Sequence, residues 1–499
     1  MIRSKEHPSP KPPARSDSFC IKPWTNLFVR EDGAASVCCM AADKTRDSLR
    51  GMSLPEIWNS SEVKQLRLDM LQGRKNPLCL KCYEVEDAGG QSLRRKNNDL
   101  DRARASIAEQ TRSDGWLDAA HLISLELNLS NACNCRCRYC CPRRSTGWYK
   151  DFSLLSGSPD LPAALTATDD FQNLYGQLRC LLPNLHRIQF GGGESLIADW
   201  HHEILEILLA GGKDDVHLSY ITNFSNLTHG GKDVLDLWKR FRHVVVNASL
   251  DAPGRQGEYI RKGLDWDQVL QNRERLMRLC PHVIFCISPT LSVLNALCLP
   301  DFHRDWLEKG YLRPNKFDLG ILFGPVEYRC QILPPHLKRE AVASYRRHIE
   351  FLSRRYGPSA HRDISSFQNA VTFIQAKDLS CLLGRFSRTT QGLDAIRQER
   401  FAEVFPELAG LVAGPDPTGT GAVLASYADL LSLETLEPYE RARTHLELAL
   451  LHKQAGRPDD TAGEIAKALR QDGLPADSHQ DIRREADRIL KELTPQPPA

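Results

Sequence analysis

Apolar and polar residues alternate in short stretches through the middle of the chain, and each stretch runs into a polar or glycine-rich loop. In Ile123-Ser-Leu-Glu-Leu-Asn-Leu129 every second residue is apolar, the period of a strand. Comparable stretches are His186–Phe190, Val216–Ile221, His243–Ser249, Val283–Ile287 and Phe317–Leu322. Between them, Trp200–Leu209, Asp233–Phe241, Trp266–Leu279 and Leu299–Lys309 carry apolar residues at helical spacing. Strands alternating with helices predict a parallel sheet. Six such units predict an α/β fold, a partial (β/α)6 TIM-like barrel rather than a complete eight-stranded one. In β/α barrels the reactive groups sit on loops at the C-terminal ends of strands. Here those loops hold cysteines after the first strand, Gly191-Gly-Gly-Glu194 after the second, Asn223 after the third, and Ser249 and Asp251 after the fourth.

The first loop carries the sharpest signal. Cys133, Cys137 and Cys140 stand at C-x3-C-x2-C spacing, with Tyr139 just before the third. Three thiolates on one loop hold three irons of a four-iron cluster and leave the fourth open, where a structural site uses four cysteines. No fourth Cys or His follows at zinc-finger spacing. Cys135 and Cys141 do not fit the triad spacing and are read as extras.

A second group of cysteines lies upstream: Cys20, the pair Cys38-Cys39, and Cys79-x2-Cys82. They offer four positions for one metal site: Cys20, Cys38 or Cys39, Cys79 and Cys82. Four thiolates suit zinc as well as an iron–sulfur cluster. Cys180, Cys280, Cys286, Cys298, Cys330 and Cys381 lie scattered among apolar residues and read as small buried hydrophobes.

The triad, its preceding aromatic and Gly192-Gly193-Glu194 at the end of the next strand together resemble the radical S-adenosylmethionine (SAM) superfamily. The resemblance implies an enzyme. In it, Cys133, Cys137 and Cys140 hold a [4Fe-4S] cluster whose open iron is chelated by SAM. It also implies that Tyr139 packs near the adenine and that Gly192, Gly193 and Glu194 meet the methionine amino group. Asn223, Ser249 and Asp251 become candidates for ribose or carboxylate contacts. Arg261 becomes a candidate partner of the SAM carboxylate. No acid or base is implied beyond these contacts.

Residues 19–98 resemble the cysteine-rich SPASM/twitch module, placed ahead of the barrel where it usually follows. That likeness implies one auxiliary [4Fe-4S] cluster on Cys20, Cys38, Cys79 and Cys82. The Gly33-x4-Cys spacing favours Cys38 and leaves Cys39 spare. It further implies a reductant such as flavodoxin or ferredoxin as partner, and a substrate that is first a peptide. A sugar, nucleotide or amino-acid derivative is the alternative substrate. A metal-stabilised binding protein is the non-enzymatic alternative.

Composition adds boundaries. The chain has 65 basic and 63 acidic residues, a balance that argues neither for nor against an acidic partner; nucleic acid is not the expected one. No apolar run approaches the about 18 residues of a membrane span. Residues 1–18 are polar and proline-rich, and are expected to form a disordered tail. Sixteen cysteines without an apolar leader point to a reducing cytoplasm. The expected organisation is a module at 19–100, a connector at 101–120, the barrel at 121–330 and a helical extension at 331–410. A Gly/Pro/Thr-rich linker at 411–424 and a helical, tetratricopeptide-like region at 425–499 complete it.

Overall fold

The computed structural model describes residues 18–41, 45–87, 89–156, 163–412, 431, 436, 438–454, 457–471, 474 and 476–491. The expected tail therefore lies outside the described residues apart from Ser18, and so does the expected linker beyond residue 412.

A seven-stranded sheet dominates the first of two compact units. Its strands are β1 (Asn26–Val29), β2 (Ala35–Ser36), β3 (Ser124–Leu127), β4 (Arg187–Phe190), β5 (His217–Thr222), β6 (His243–Ala248) and β7 (Ile284–Ile287), in the order β2-β1-β3-β4-β5-β6-β7. All neighbours are parallel except the β1–β2 pair. Helices Asp199–Ala210, Trp266–Leu279 and Leu299–Glu308 fall where the helical spacing predicts, whereas the expected 233–241 helix is shorter, Val234–Trp238.

In-register neighbours in a parallel sheet share a face. Leu125, Ile188, Leu218 and Val244 align on one side, and so do Leu127, Phe190, Tyr220, Val246 and Phe285; all are buried. The opposite face aligns Glu126, Gln189, Ser219 and Val245, with Asn247 beside Cys286. This is the polar lumen of a partial barrel. Its strands read as alternating because only one side meets the helices.

The sixth barrel strand is interrupted. Only Gly320–Ile321 is regular, and it pairs in parallel with Thr290–Leu291 in a separate ladder. The link to β7 survives as bonds from Ile287 N to Lys316 O (2.9 Å) and Asp318 N to Ile287 O (2.8 Å). Pro289, which has no N–H to donate, stands at the break. At the other edge the cysteine-rich segment contributes β1, which pairs with β3 from Asn26↔Ser124 to Val29↔Leu127. The N-terminal module thus extends the barrel sheet through a strand whose four residues are all buried and show no alternation in sequence.

The second unit comprises residues 292–296, 322–342 and 373–499. The expected 331–410 extension is therefore divided, because residues 343–372 belong with the barrel unit. There His348 hydrogen-bonds His303 (2.9 Å). Within the second unit, Arg385 pairs with Glu440 and Arg388 with Glu447 (2.7 Å). Helices Pro438–Gln454, Pro458–Leu469 and Ala476–Lys491 close over a small core of Ala442, Leu446, Ala449, Ile465, Ala468, Ile482, Ala486 and Ile489. Alanine at four of these eight positions lets the helices approach closely.

Candidate metal and cofactor site

The loop after β3 is fixed mainly by its backbone. Arg136 N donates to Lys262 O (2.7 Å) and Arg138 N to Ile260 O (2.8 Å), so the loop is zipped to residues 260–262. Cys133 N donates to Thr146 Oγ1 (3.2 Å), the indole N–H of Trp148 donates to Cys137 O (2.8 Å), and Cys140 N donates to Cys137 O (3.0 Å). Buried Asn131 closes the loop by donating to Pro142 O (3.1 Å) and accepting from Leu165 N (2.9 Å). Three thiols held this way on one loop are the donor set a four-iron cluster with one open iron needs.

The Gly-Gly-Glu turn lies directly on that loop. Gly192 and Gly193 have φ of 71° and 43°. A Cβ on Gly193 would stand 2.3 Å from Ala132 O, so both conformation and space require glycine. Glu194 N then donates to Ala132 O (2.7 Å). The Glu194 carboxylate turns inward, accepting from Asn223 N (2.7 Å), Thr222 Oγ1 (2.8 Å) and Leu196 N (3.2 Å). Burial pushes its pKa up, opposed by these donors. Asn223 donates to Asn134 Oδ1 (2.9 Å) and to Cys135 Sγ (3.3 Å). The second, third and first loops therefore meet at residues 132–135.

Asp251 anchors a second buried cluster on the cysteine loop. Wholly buried, it accepts from Tyr139 OH, from Thr290 N (2.8 Å) and from Arg261 Nη2 (3.1 Å). Arg261 also places Nε 2.8 Å from Asp251 Oδ2 and Nη1 3.9 Å from Cys137 Sγ. The Arg261 fork, expected to face a ligand carboxylate, is held by an internal one. Ser249 stands at the same strand end, its backbone N–H on Thr222 O (2.7 Å). The sequence reading missed the Asp251–Arg261 pair and the bond from Asn223 to Cys135. The first joins oppositely charged residues flanking the short helix Gly254–Ile260, a weak signal by itself.

The upstream cysteines lie largely inside the N-terminal module. Cys20, Cys79 and Cys82 are buried, Cys38 is half-buried and Cys39 is exposed. Burial raises the Cys38 thiol well above its ordinary value, and Cys39, Cys20, Cys79 and Glu126 add to this. Burial pushes Cys20 up to about 12, with Cys82 contributing. Arg94 ties the segments bearing these thiols: its Nη1 donates to Phe19 O (2.7 Å), next to Cys20, and its guanidinium pairs with Glu86, one helical turn after Cys82. Their donor set fits a four-thiolate cluster, with Cys38 the more enclosed of the adjacent pair. Among the described residues, no three Cys, His, Asp or Glu side chains converge tightly enough for a single metal ion.

Residues 127–292 match the radical SAM superfamily model, and residues 20–83 match that of the SPASM iron–sulfur cluster-binding domain. A radical SAM domain implies a [4Fe-4S] cluster with SAM, and an SPASM domain implies auxiliary iron–sulfur clusters. No curated protein matches the chain. Among solved structures, one similar chain is native anSMEcpe with bound AdoMet and Cp18Cys peptide. It is 16% identical, with 48% of this chain and 61% of that chain covered and a TM-score of 0.34. The chain thus spans about three fifths of that neighbour's length. Another is Streptococcus suis SuiB bound to its precursor peptide SuiA, at 12% identity, with 70% and 68% covered and a TM-score of 0.32. Among the described residues, no helix is long and apolar enough to cross a membrane.

Proposed function

From the premise that this chain is a radical SAM enzyme whose SPASM module precedes its barrel, we propose that it abstracts hydrogen from a peptide substrate. The observation that carries the chemistry is the junction of three loops at residues 132–135, where the triad, the Gly-Gly-Glu turn and Asn223 meet. With SAM bound, the cluster supplies reductive cleavage of the sulfonium to methionine and a 5′-deoxyadenosyl radical.

The chain's own residues bind, orient and enclose. Cys133, Cys137 and Cys140 would hold the SAM cluster, and Cys20, Cys38, Cys79 and Cys82 one auxiliary cluster. Gly192, Gly193 and Glu194 would shape the floor on which the methionine end of SAM rests. Asn223 and Ser249 would line the ribose side. Asp251 fixes Tyr139 and Arg261 as a buried wall and spends its carboxylate on them, so its part is to orient these two. Gln189 and Ser219 in one register row of the lumen face, with Asn247 in the next and bonded to Ser219 Oγ (3.2 Å), carry amide and hydroxyl groups suited to a substrate rich in the same groups, as a peptide is. A flavodoxin or ferredoxin in the cytoplasm is the proposed electron source.

Anaerobic reconstitution tests this reading. About eight irons per chain are expected, two four-iron clusters, together with reductant-dependent 5′-deoxyadenosine. Replacing Cys133, Cys137 and Cys140 together with alanine should abolish that product. Its persistence would overturn the assignment.

A further inference from the structure

The auxiliary cysteines are bracketed by two buried ion pairs. Arg94 and Glu86 pair within the module, their side chains 4% and 7% exposed. Lys22 pairs with Glu126 at 2.6 Å, with side chains 15% and 7% exposed. The second pair leaves the module, since Glu126 belongs to strand β3 of the barrel sheet. Asn26 ties it further: its Nδ2 donates both to Glu126 Oε1 (3.1 Å) and to Val37 O (2.8 Å), one residue before Cys38. Lys22 lies two residues after Cys20, and Arg94 Nη1 donates to Phe19 O (2.7 Å), the residue before Cys20. Through the Asn26 bridge the Glu126 carboxylate stands beside the Val37–Cys38 backbone. A cation and an anion therefore flank the same thiol set from one buried contact.

We propose that the Lys22–Glu126 pair is a positioning element that sets the reduction potential of the auxiliary cluster from the barrel side. The inference rests on the reading of Cys20, Cys38, Cys79 and Cys82 as an iron–sulfur site. One-electron reduction adds one negative charge to a cluster, and nearby charge and burial are among the factors that set its potential. In a buried setting, opposite charges at equal range offset each other, and either one left alone acts at close to full strength. Glu126→Gln leaves the Lys22 cation uncompensated and favours the reduced cluster. Lys22→Met leaves the Glu126 carboxylate uncompensated and disfavours it. Loss of packing alone would move both variants the same way.

The experiment is an anaerobic redox titration of the reconstituted full chain, with the cluster signals read by electron paramagnetic resonance and iron counted. The Cys133/Cys137/Cys140 triple alanine variant serves as background, so that the auxiliary signal stands alone. The expected result is a higher midpoint potential for Glu126→Gln and a lower one for Lys22→Met. The double variant, which buries no lone charge and guards against misfolding of either single one, should return towards the parent. Arg94→Met should lower the potential without altering the response at Glu126. Shifts of the same sign, or an unmoved potential at full iron content, would overturn the proposal. A parent background lacking auxiliary iron would overturn both it and the cluster reading, whereas an unmoved potential would overturn the inference alone.

Discussion

The backbone N–H of Glu194 donates to the carbonyl of Ala132 at 2.7 Å, which joins the turn after the second barrel strand to the residue preceding Cys133. Gly193 makes this approach possible, since a Cβ there would stand 2.3 Å from the same carbonyl. Gly193→Ala should therefore force the turn off the cysteine loop, at a cost of roughly 1–3 kcal/mol for a strained positive φ. SAM affinity by equilibrium dialysis should fall by at least tenfold while the auxiliary cluster is retained. Unaltered affinity would show that the turn does not shape the SAM floor.

Asp251 and Arg261 make a buried pair with few alternatives. Asp251→Ala leaves a guanidinium buried beside Cys137 without its carboxylate, and breaking such a pair costs about 3–5 kcal/mol. Urea denaturation should show this loss. Adding Arg261→Ala should recover part of it, because the stranded charge is then gone.

A second buried polar cluster lies away from the site and makes stability depend on pH. Asp363 accepts from Asn315 N (2.6 Å) and stands 3.7 Å from His303, which hydrogen-bonds His348. Burial raises the Asp363 carboxyl to about 6. Burial, with Arg304 adding to it, lowers His348 to about 3, and burial lowers His303 well below its usual value. Between about pH 4 and 6 the folded chain keeps a proton on Asp363 that the unfolded chain has released, so this group's contribution falls as pH rises. The two histidines act oppositely. Below about 6.5 the unfolded chain protonates them and the folded chain does not, so their contribution grows as pH rises towards 6.5. Asp363→Asn should leave only the histidine slope. Stability measured by urea denaturation should then climb more steeply between pH 4 and 6, by about 1.4 kcal/mol per pH unit.

In the second unit Arg385 lies between two carboxylates, paired with Glu440 and 3.4 Å from Glu327, which also meets Arg443 at 3.4 Å. Arg385→Met removes the partner of Glu440 and leaves Glu327 to Arg443 alone, and should cost about 3–5 kcal/mol. Limited proteolysis should then cut within residues 438–491 at protease levels that spare the parent. Equal resistance would show that the helices hold without this pair.

Much of the site could be read along the chain. The cysteine triad, the Gly-Gly-Glu turn and the strand ends carrying Asn223, Ser249 and Asp251 are local patterns, because thiolate spacing and period-two burial are local requirements. The partners of those residues were not legible. Arg261 was expected to face a ligand and instead grips Asp251, since a guanidinium reads the same in sequence whichever carboxylate it finds. Strand β1 was missed because all four of its residues are buried, which leaves no alternation to detect. The broken sixth strand shows the reverse case, an alternating stretch of which only Gly320–Ile321 is regular.

By itself, then, the sequence determined which residues could ligate metal and which strands would carry them, because those choices follow from side-chain chemistry and short-range periodicity. Only the tertiary structure decided that the cysteine-rich module joins the barrel sheet through β1 and β3, and that Lys22 meets Glu126 across 104 positions of chain. Such contacts depend on which surfaces remain to be buried once each element has formed, and no local pattern encodes that.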